Sequence, residues 1–185
     1  MIEIRAARPA DAAAIADIHV DAWQVAHAGV LTVESAPDHG YDARLAEWKK
    51  TLVRSPQGIF LAEDDKLGPM GFVSCGLAHE AIRIEAGSFR GEIYALYVRP
   101  VCQGMGLGKE LFEAALVNLG RAGFSAVMLR ILADNPTAKF FERMGGQPIG
   151  ERMVELGGKT LREIAYGWGG KLPKPAKAET AGKPR

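Results

Sequence analysis

Cysteine is scarce in this 185-residue chain, and long apolar runs are missing. The two cysteines, Cys75 and Cys102, form no Cys-x-x-Cys pair, which argues against a disulfide framework and against a structural zinc site. No apolar run approaches the roughly 20 residues that a membrane-spanning helix needs. Residues 1–5 also lack the basic-then-apolar order of a signal peptide. We therefore expect one soluble, cytoplasmic domain with no metal site and no membrane partner.

A strong net charge of one sign is also lacking, because 23 basic residues nearly balance 22 acidic ones. The balance is uneven along the chain. Residues 171–185 hold five basic residues and one acidic residue, a balance of +4, which leaves −3 for the rest. A mildly acidic body argues against nucleic acid as a partner. A Lys/Pro/Ala-rich end is typical of a disordered segment, so we expect a domain at residues 1–169 and a disordered tail at 170–185.

Hydrophobic periodicity predicts strands and helices in the order β-α-α-β-β-β-α-β-α-β-β. Short turns such as the one at residues 64–68 join strands that pair antiparallel, whereas the strand–helix–strand unit at residues 89–131 requires one parallel pair. The expected fold class is α/β, with a mixed, mostly antiparallel twisted sheet of about seven strands and helices on both faces. The apolar strand near residues 160–168 is expected at the sheet edge, where a bare apolar strand would favour a homodimer.

A glycine-rich loop between a predicted strand and a predicted helix is the strongest functional signal. Glycines let backbone N–H groups approach a ligand, and the helix that follows presents unpaired N–H groups and the positive end of its dipole. Such a loop suits a phosphate or a pyrophosphate. The P-loop pattern fails because Lys109 is followed by Glu110, and the Gly-x-Gly-x-x-Gly pattern fails because the glycines fall at positions 104, 106 and 108.

The spacing Gln103-x-x-Gly106-x-Gly108 resembles the coenzyme A loop of the GCN5-related N-acetyltransferase (GNAT) superfamily. Residues 91–100 resemble the central strand of that family with its Val-x-Pro exit. Residues 135–145 resemble its next motif, Asn-x-x-Ala followed by an aromatic pair and a glycine. The resemblance implies an N-acetyltransferase that uses acetyl-CoA as cosubstrate.

The resemblance also implies which residues contact coenzyme A. In the family, the loop amides hold the pyrophosphate, and the splayed central strand hydrogen-bonds the pantetheine arm. The implied cofactor-binding residues are Leu96, Tyr97, Val98, Gln103, Gly104, Met105, Gly106, Leu107, Gly108, Lys109, Asn135, Ala138 and Phe141.

Two catalytic groups follow from the same resemblance. Glu92 matches the position at which several family members carry a general base, and the backbone N–H of Leu96 matches the oxyanion donor. On a regular strand Glu92, Tyr94, Leu96 and Val98 would share one face. The alternative for Glu92 is an ion pair with a nearby arginine such as Arg90.

The sequence departs from the family at the group that protonates the leaving thiolate. The family often has a tyrosine at the position of Phe141, and a phenyl ring cannot donate a proton. The thiolate then leaves unprotonated, or one of Tyr94, Tyr97 and Tyr166 reaches it.

The acceptor is expected to bind between the segment after the first helix and the final hairpin, as in the family. This places Trp23, His27, Leu31 and Tyr41 on one wall and Tyr166 on the other, although helical periodicity alone favours Trp23 as a core residue. The leading hypothesis is direct acetyl transfer to a primary amine of a small molecule. The alternatives are acetylation of protein N-termini or lysines, and a non-catalytic acetyl-CoA-binding sensor.

Overall fold

Seven strands form one mixed sheet in the computed structural model, which describes residues 1–85 and 87–170. They are β1 (Ile2–Ala6), β2 (Ile59–Asp64), β3 (Gly68–Ile84), β4 (Gly87–Val98), β5 (Ala126–Leu132), β6 (Gln147–Leu156) and β7 (Lys159–Gly169). Their order across the sheet is β1-β2-β3-β4-β5-β7-β6, and every neighbouring pair is antiparallel except β4 and β5. This confirms the predicted α/β fold. The tail predicted from residue 170 onward lies outside the described residues, apart from Gly170 itself.

Four helices cover the two faces of the sheet, as the sequence predicts. They are α1 (Ala12–Ala26), α2 (Tyr41–Arg54), α3 (Leu107–Arg121) and α4 (Ala138–Arg143). Residues of α1 and α2 form one core cluster with β2 and β3, whereas α3 and α4 contribute to a second cluster on the opposite face. None of the helices in the described part of the chain is long and apolar enough to cross a membrane.

The strands β4 and β5 separate in the middle of the sheet. They pair only at Gly91–Val127 and at Glu92–Met128, although β4 continues to Val98 and β5 to Leu132. Beyond these two pairs, the facing edges of the two strands lack the ladder that normally satisfies backbone N–H and C=O groups. The sheet therefore contains an open wedge that a ligand can enter.

A β-bulge at Tyr94 accompanies this separation. Cys75 of β3 lies opposite Ile93, and the next residue, Ser74, lies opposite Ala95, so that Tyr94 is an extra residue. A bulge bends its strand and increases the local twist. It also breaks the simple alternation of side chains between the two faces of the sheet.

The bulge overturns one prediction about β4. Ile93, Leu96 and Val98 all contact the core under α3, whereas Tyr97 contacts the core under α1 and α2. In a regular strand, Ile93 and Tyr97 would face the same side of the sheet. The extra residue at the bulge places them on opposite sides. The predicted common face of Glu92, Tyr94, Leu96 and Val98 was wrong, because the bulge at Tyr94 reverses the alternation after it.

The position of β7 overturns another prediction. β7 lies between β5 and β6 and pairs with both, so residues 160–168 are not a bare sheet edge. At this end of the sheet the edge strand is β6, which is mostly exposed and carries Glu151, Arg152 and Glu155. Charged residues on an edge strand oppose pairing with another sheet. The argument for a homodimer from a bare apolar edge therefore does not hold.

Candidate functional site

The wedge between β4 and β5 opens into a cleft of about 490 Å³. It is lined by residues 93–98 of β4, residues 129–131 of β5, the glycine loop, residues 135–137 before α4, and Ala22, Val25 and Ala26 of α1. Its volume lies within the range of about 300–1,000 Å³ that small-molecule sites occupy. Within residues 1–85 and 87–170, no group of three or more His, Cys, Asp or Glu side chains is placed to hold a metal ion.

The glycine loop forms one end of the cleft. Gly104 and Gly106 have φ angles of +81° and +87°, a region that favours glycine, and α3 begins directly afterwards at Leu107. The first-turn N–H groups of a helix have no intrahelical acceptor, and the helix dipole adds positive potential there. The side chain of Gln103 donates from Nε2 to the carbonyl oxygen of Val98 at 3.3 Å, which ties the loop to β4. This end of the cleft can bind a phosphate or a pyrophosphate.

The backbone of β4 presents donors along the side of the cleft. The N–H of Arg99 donates to the carbonyl oxygen of Met70 on β3 at 2.8 Å. Because the N–H groups of an extended strand alternate between its two edges, those of Leu96 and Val98 lie on the other edge, toward the cleft. These amides can bind an extended ligand as if it were a neighbouring strand.

Asn135 and Phe141 both line the side of the cleft opposite β4. The Oδ1 atom of Asn135 accepts hydrogen bonds from the backbone N–H and the hydroxyl of Thr137, at 2.9 and 2.7 Å. Its Nδ2 group is thus the part left to donate to a ligand. The ring of Phe141 packs against Phe112 and Trp168, with ring centroids 6.3 and 6.2 Å apart. It offers an apolar surface and no proton.

Two residues predicted at the coenzyme site do not line the cleft. The side chain of Met105 is exposed on the loop. Ala138 instead packs against the core under α3. The other predicted coenzyme contacts do border the cleft: Leu96, Tyr97, Val98, Gln103, Gly104, Gly106, Leu107, Gly108, Lys109, Asn135 and Phe141.

Glu92 is buried, and both of its carboxylate oxygens accept hydrogen bonds. Oε1 accepts from Nη1 of Arg130 at 3.2 Å, and Oε2 accepts from the backbone N–H of His79 at 3.0 Å. Glu92 does not itself line the cleft, but Tyr94 and Arg130 beside it do. Its ion-pair partner is Arg130 rather than Arg90. Arg130 was not predicted, although a lone cation inside the apolar run of β5 was a usable signal.

The three candidate tyrosines differ in their access to the cleft. Tyr97 lines it, and burial raises the pKa of its hydroxyl to about 12. Tyr94 also lines it, and burial followed by the charge of Glu92 raises its pKa, while its hydroxyl donates to the carbonyl oxygen of Leu77. Tyr166 is buried in the core and donates to Glu142 at 3.1 Å, so it does not reach the cleft.

These tyrosines are poor acids for a thiolate. A free thiol has a pKa of about 8.5, so proton transfer from Tyr97 to a thiolate is uphill by roughly 3.5 pKa units, or about 5 kcal/mol. The raised pKa of Tyr94 acts in the same direction. The raised pKa values of Tyr94 and Tyr97 therefore disfavour either tyrosine as the group that protonates a leaving thiolate.

The structure does not bring the five predicted acceptor residues together. Trp23 and Leu31 are buried in a core cluster, and the Trp23 ring stacks on His27 and His39 at centroid distances of 4.8 and 4.3 Å. Tyr41 is exposed at the start of α2 and does not line the cleft. The five residues therefore do not line one pocket in the described part of the chain, because Trp23 and Leu31 are core residues beside α1, Tyr166 is in the core under α3 and Tyr41 is on the surface.

His27 lines a separate small pocket instead. This pocket of about 20 Å³ has room for one water-sized group, and Asp134 and Arg162 also line it. It adjoins the main cleft, because Ala26 and Asn135 line both. The α1 side of the main cleft is formed by small and apolar residues, Ala22, Val25 and Ala26.

Comparisons with known proteins agree with this geometry. Residues 12–146 match the model of the acetyltransferase (GNAT) family. The chain is 30% identical over 168 residues to the uncharacterized N-acetyltransferase YuaI of Bacillus subtilis (strain 168), which covers 91% of this chain and 93% of that protein. It is 38% identical over 91 residues to a mycothiol acetyltransferase of Streptomyces avermitilis, covering 49% of this chain and 27% of that protein. Its fold is similar to that of paia N-acetyltransferase from Thermoplasma acidophilum in complex with coenzyme A. The TM-score is 0.59 at 18% identity, and the match covers 89% of this chain and 98% of that one.

Proposed function

We propose that this chain, which belongs to the acetyltransferase (GNAT) family, transfers an acetyl group from acetyl-CoA directly to the primary amine of a small molecule. The observation that carries the proposal is the cleft between β4 and β5, which runs from the glycine loop to the point where the strands separate. The loop amides and the start of α3 bind the pyrophosphate, and the cleft-side amides of β4 bind the pantetheine arm. The thioester then lies near the bulge at Tyr94. The coenzyme A bound to the paia relative supports this assignment.

The chemistry needs a base and an oxyanion donor, and both are close to this point. Glu92 takes a proton from the acceptor amine through a bridging water molecule that lies between Tyr94 and Arg130. The amine nitrogen attacks the thioester carbonyl carbon, and the backbone N–H of Leu96 donates to the oxyanion that forms. The C–S bond then breaks and the coenzyme A thiolate leaves. When the acceptor enters as an ammonium ion, the products of the overall reaction are the N-acetylated amide, the free thiol of coenzyme A and one proton, which is released to solvent.

The walls on the acceptor side of the cleft favour a small amine over an extended peptide as the acceptor. There the cleft is bordered by Val25 and Ala26 of α1, by Tyr94 and by Arg130. Residues 78–81 of β3 lie beside Glu92 and are fastened to Arg130 and Arg152 through Glu80. The acceptor side is therefore bounded from both α1 and β3.

Calorimetric titration with acetyl-CoA, followed by an amine panel, tests the proposal. We expect saturable binding of acetyl-CoA, release of free thiol with one class of small amines, and an N-acetylated product by mass spectrometry. Binding without thiol release on any amine would favour the sensor, and thiol release only with peptides would favour protein acetylation. Absence of binding would overturn the proposal. Because Cys102 lines the cleft, the intact protein mass after acetyl-CoA alone checks direct transfer: an added acetyl group would contradict it.

The positive φ of Gly106 provides a second test. Replacement by Ala meets no atom within 4 Å but forces a non-glycine residue into the left-handed region, which costs about 1–2 kcal/mol. Because the empty loop can relax this strain but must readopt the strained conformation to present its amides, we expect acetyl-CoA affinity to fall roughly tenfold, in line with this cost. Gly123, just beyond the other end of α3, has a φ of +90° and equally open space. Gly123→Ala should therefore lose similar stability in a urea melt with unchanged acetyl-CoA affinity, and equal losses of affinity in both variants would contradict the assignment.

A further inference from the structure

A short segment of β3 leaves the sheet beside Glu92. Between Leu77 and Ile82 the pairing with β4 is interrupted, and we call the intervening residues 78–81 the strap. Two contacts of Glu80 hold the strap in place. Its backbone carbonyl oxygen accepts from Nη2 of Arg130 at 3.0 Å, and its carboxylate accepts from Arg152 at 3.0 Å. The strap therefore has a fixed position over the acceptor side of β4 and β5.

The strap places one imidazole between Glu92 and solvent. The backbone N–H of His79 donates to Oε2 of Glu92 at 3.0 Å, and Nδ1 of the same residue lies 3.4 Å from the same oxygen. The side chain of Glu92 is only 9% exposed, whereas that of His79 is 79% exposed. The His79 ring also lies edge-on against Tyr94, with centroids 4.7 Å apart. One ring nitrogen thus meets the buried carboxylate while the rest of the ring is in water.

We propose that His79 carries the proton released in each reaction cycle from Glu92 to solvent. The inference rests on the proposed function, in which a net proton must leave a carboxyl group that does not reach bulk water. The protonated Glu92 transfers its proton to the neutral Nδ1 of His79, which restores the carboxylate. The imidazolium then loses the proton from Nε2 to a solvent base, and exchange of the ring protons resets the tautomer. His79 acts through Glu92 and does not contact the reacting atoms.

The contact between the two groups can be tested without an acceptor. The groups that face them are Arg130 from β5, Tyr94 from β4 and Glu80 on the strap. With ¹⁵N-labelled histidine, the ring signals of His79 in acetyl-CoA-bound protein, assigned with His79→Gln, are compared with those in Glu92→Gln at one pH. We expect the Nδ1 signal to shift more than the Nε2 signal in Glu92→Gln, because Nδ1 lies 3.4 Å from the carboxylate. An unchanged Nδ1 signal would overturn the proposal.

Turnover tests the transfer itself. His79→Gln keeps the backbone N–H bond to Glu92, so it removes the imidazole alone. With the best amine of the panel, kcat should fall roughly tenfold, which is less than the 10²- to 10⁴-fold typical of a general acid or base, because water replaces part of the relay. Added imidazole should restore much of the loss, and the KM for acetyl-CoA should not change. Arg83→Gln, an exposed change on the same hairpin, should behave as wild type with or without imidazole.

The outcomes separate this proposal from the function on which it rests. His79→Gln turnover equal to wild type, or a loss that imidazole leaves unchanged, would overturn the relay while acetyl transfer stands. Failure of the wild-type protein on every amine of the panel would overturn the proposed function and the relay with it.

Discussion

Replacing Glu92 by Gln is expected to lower kcat by about 10²- to 10³-fold and to leave acetyl-CoA affinity unchanged. Glutamine has nearly the same shape, and its Oε1 can still accept the hydrogen bond from Arg130. It cannot accept a proton from the amine. The coenzyme contacts that we propose come from β4 amides and the glycine loop, so they do not depend on this carboxylate.

Calorimetry and thiol release on the same preparation measure the two halves of this prediction. Glu151→Gln is the matched control, because Glu151 is an exposed carboxylate on β6 that pairs with Arg162, whereas Glu92 pairs with Arg130. A circular dichroism melt shows whether either variant has lost its fold. If Glu92→Gln keeps kcat within a few-fold of wild type, Glu92 acts only as the ion-pair partner of Arg130, and another group removes the proton.

Most of the fold could be predicted from the sequence, because its determinants are local. Hydrophobic periodicity predicted the order of the helices and strands, and short turns predicted which strands pair antiparallel. The one parallel pair followed from a single strand–helix–strand unit at residues 89–131. The place of β7 could not be predicted in this way. An apolar strand buried between two neighbours and an apolar strand at an edge look the same in sequence.

The residues that line the glycine-loop end of the cleft were also predictable, since they form one contiguous segment of the sequence. The acceptor side was not. There, Glu92, His79 and Arg130 come from three different strands, and their contacts depend on the bulge at Tyr94 and on the strap. Neither feature has a local sequence signature. The ring of Trp23 could serve as pocket or core, and only tertiary packing against His27 and His39 decided between them.

Acidification from pH 7.5 to pH 5 is expected to cost the protein about 2 kcal/mol of unfolding free energy through His19 alone. His19 is buried among Tyr97, Phe72 and Trp48, and its Nδ1 faces the indole N–H of Trp48 at 3.3 Å. Burial, followed by the charge of Arg44, lowers its pKa to about 3. An unfolded histidine has a pKa of about 6.5. Between these values the unfolded chain binds more protons, so stability that is complete above pH 6.5 is lost as the pH falls toward 3.

His39 and His27 add to the effect in the same direction. Burial lowers the pKa of His39 to about 4 and also lowers that of His27. Both rings stack on Trp23, so protonation of either would place a charge between α1 and the segment before α2. Because these two groups are only partly enclosed, solvent screening reduces their share, and His19 should dominate.

Urea melts of wild type and His19→Gln at pH 8, 7.5 and 5 isolate the contribution of His19. Glutamine can still accept the indole N–H of Trp48 but does not titrate. The two proteins should show the same pH dependence between pH 8 and 7.5, and the variant should lose about 2 kcal/mol less by pH 5. Equal losses would assign the acid sensitivity to the other histidines with lowered pKa values, His39 and His27. Since Tyr97 stacks on His19 at 4.8 Å and also lines the cleft, acid that loosens this cluster should weaken acetyl-CoA binding before the sheet unfolds.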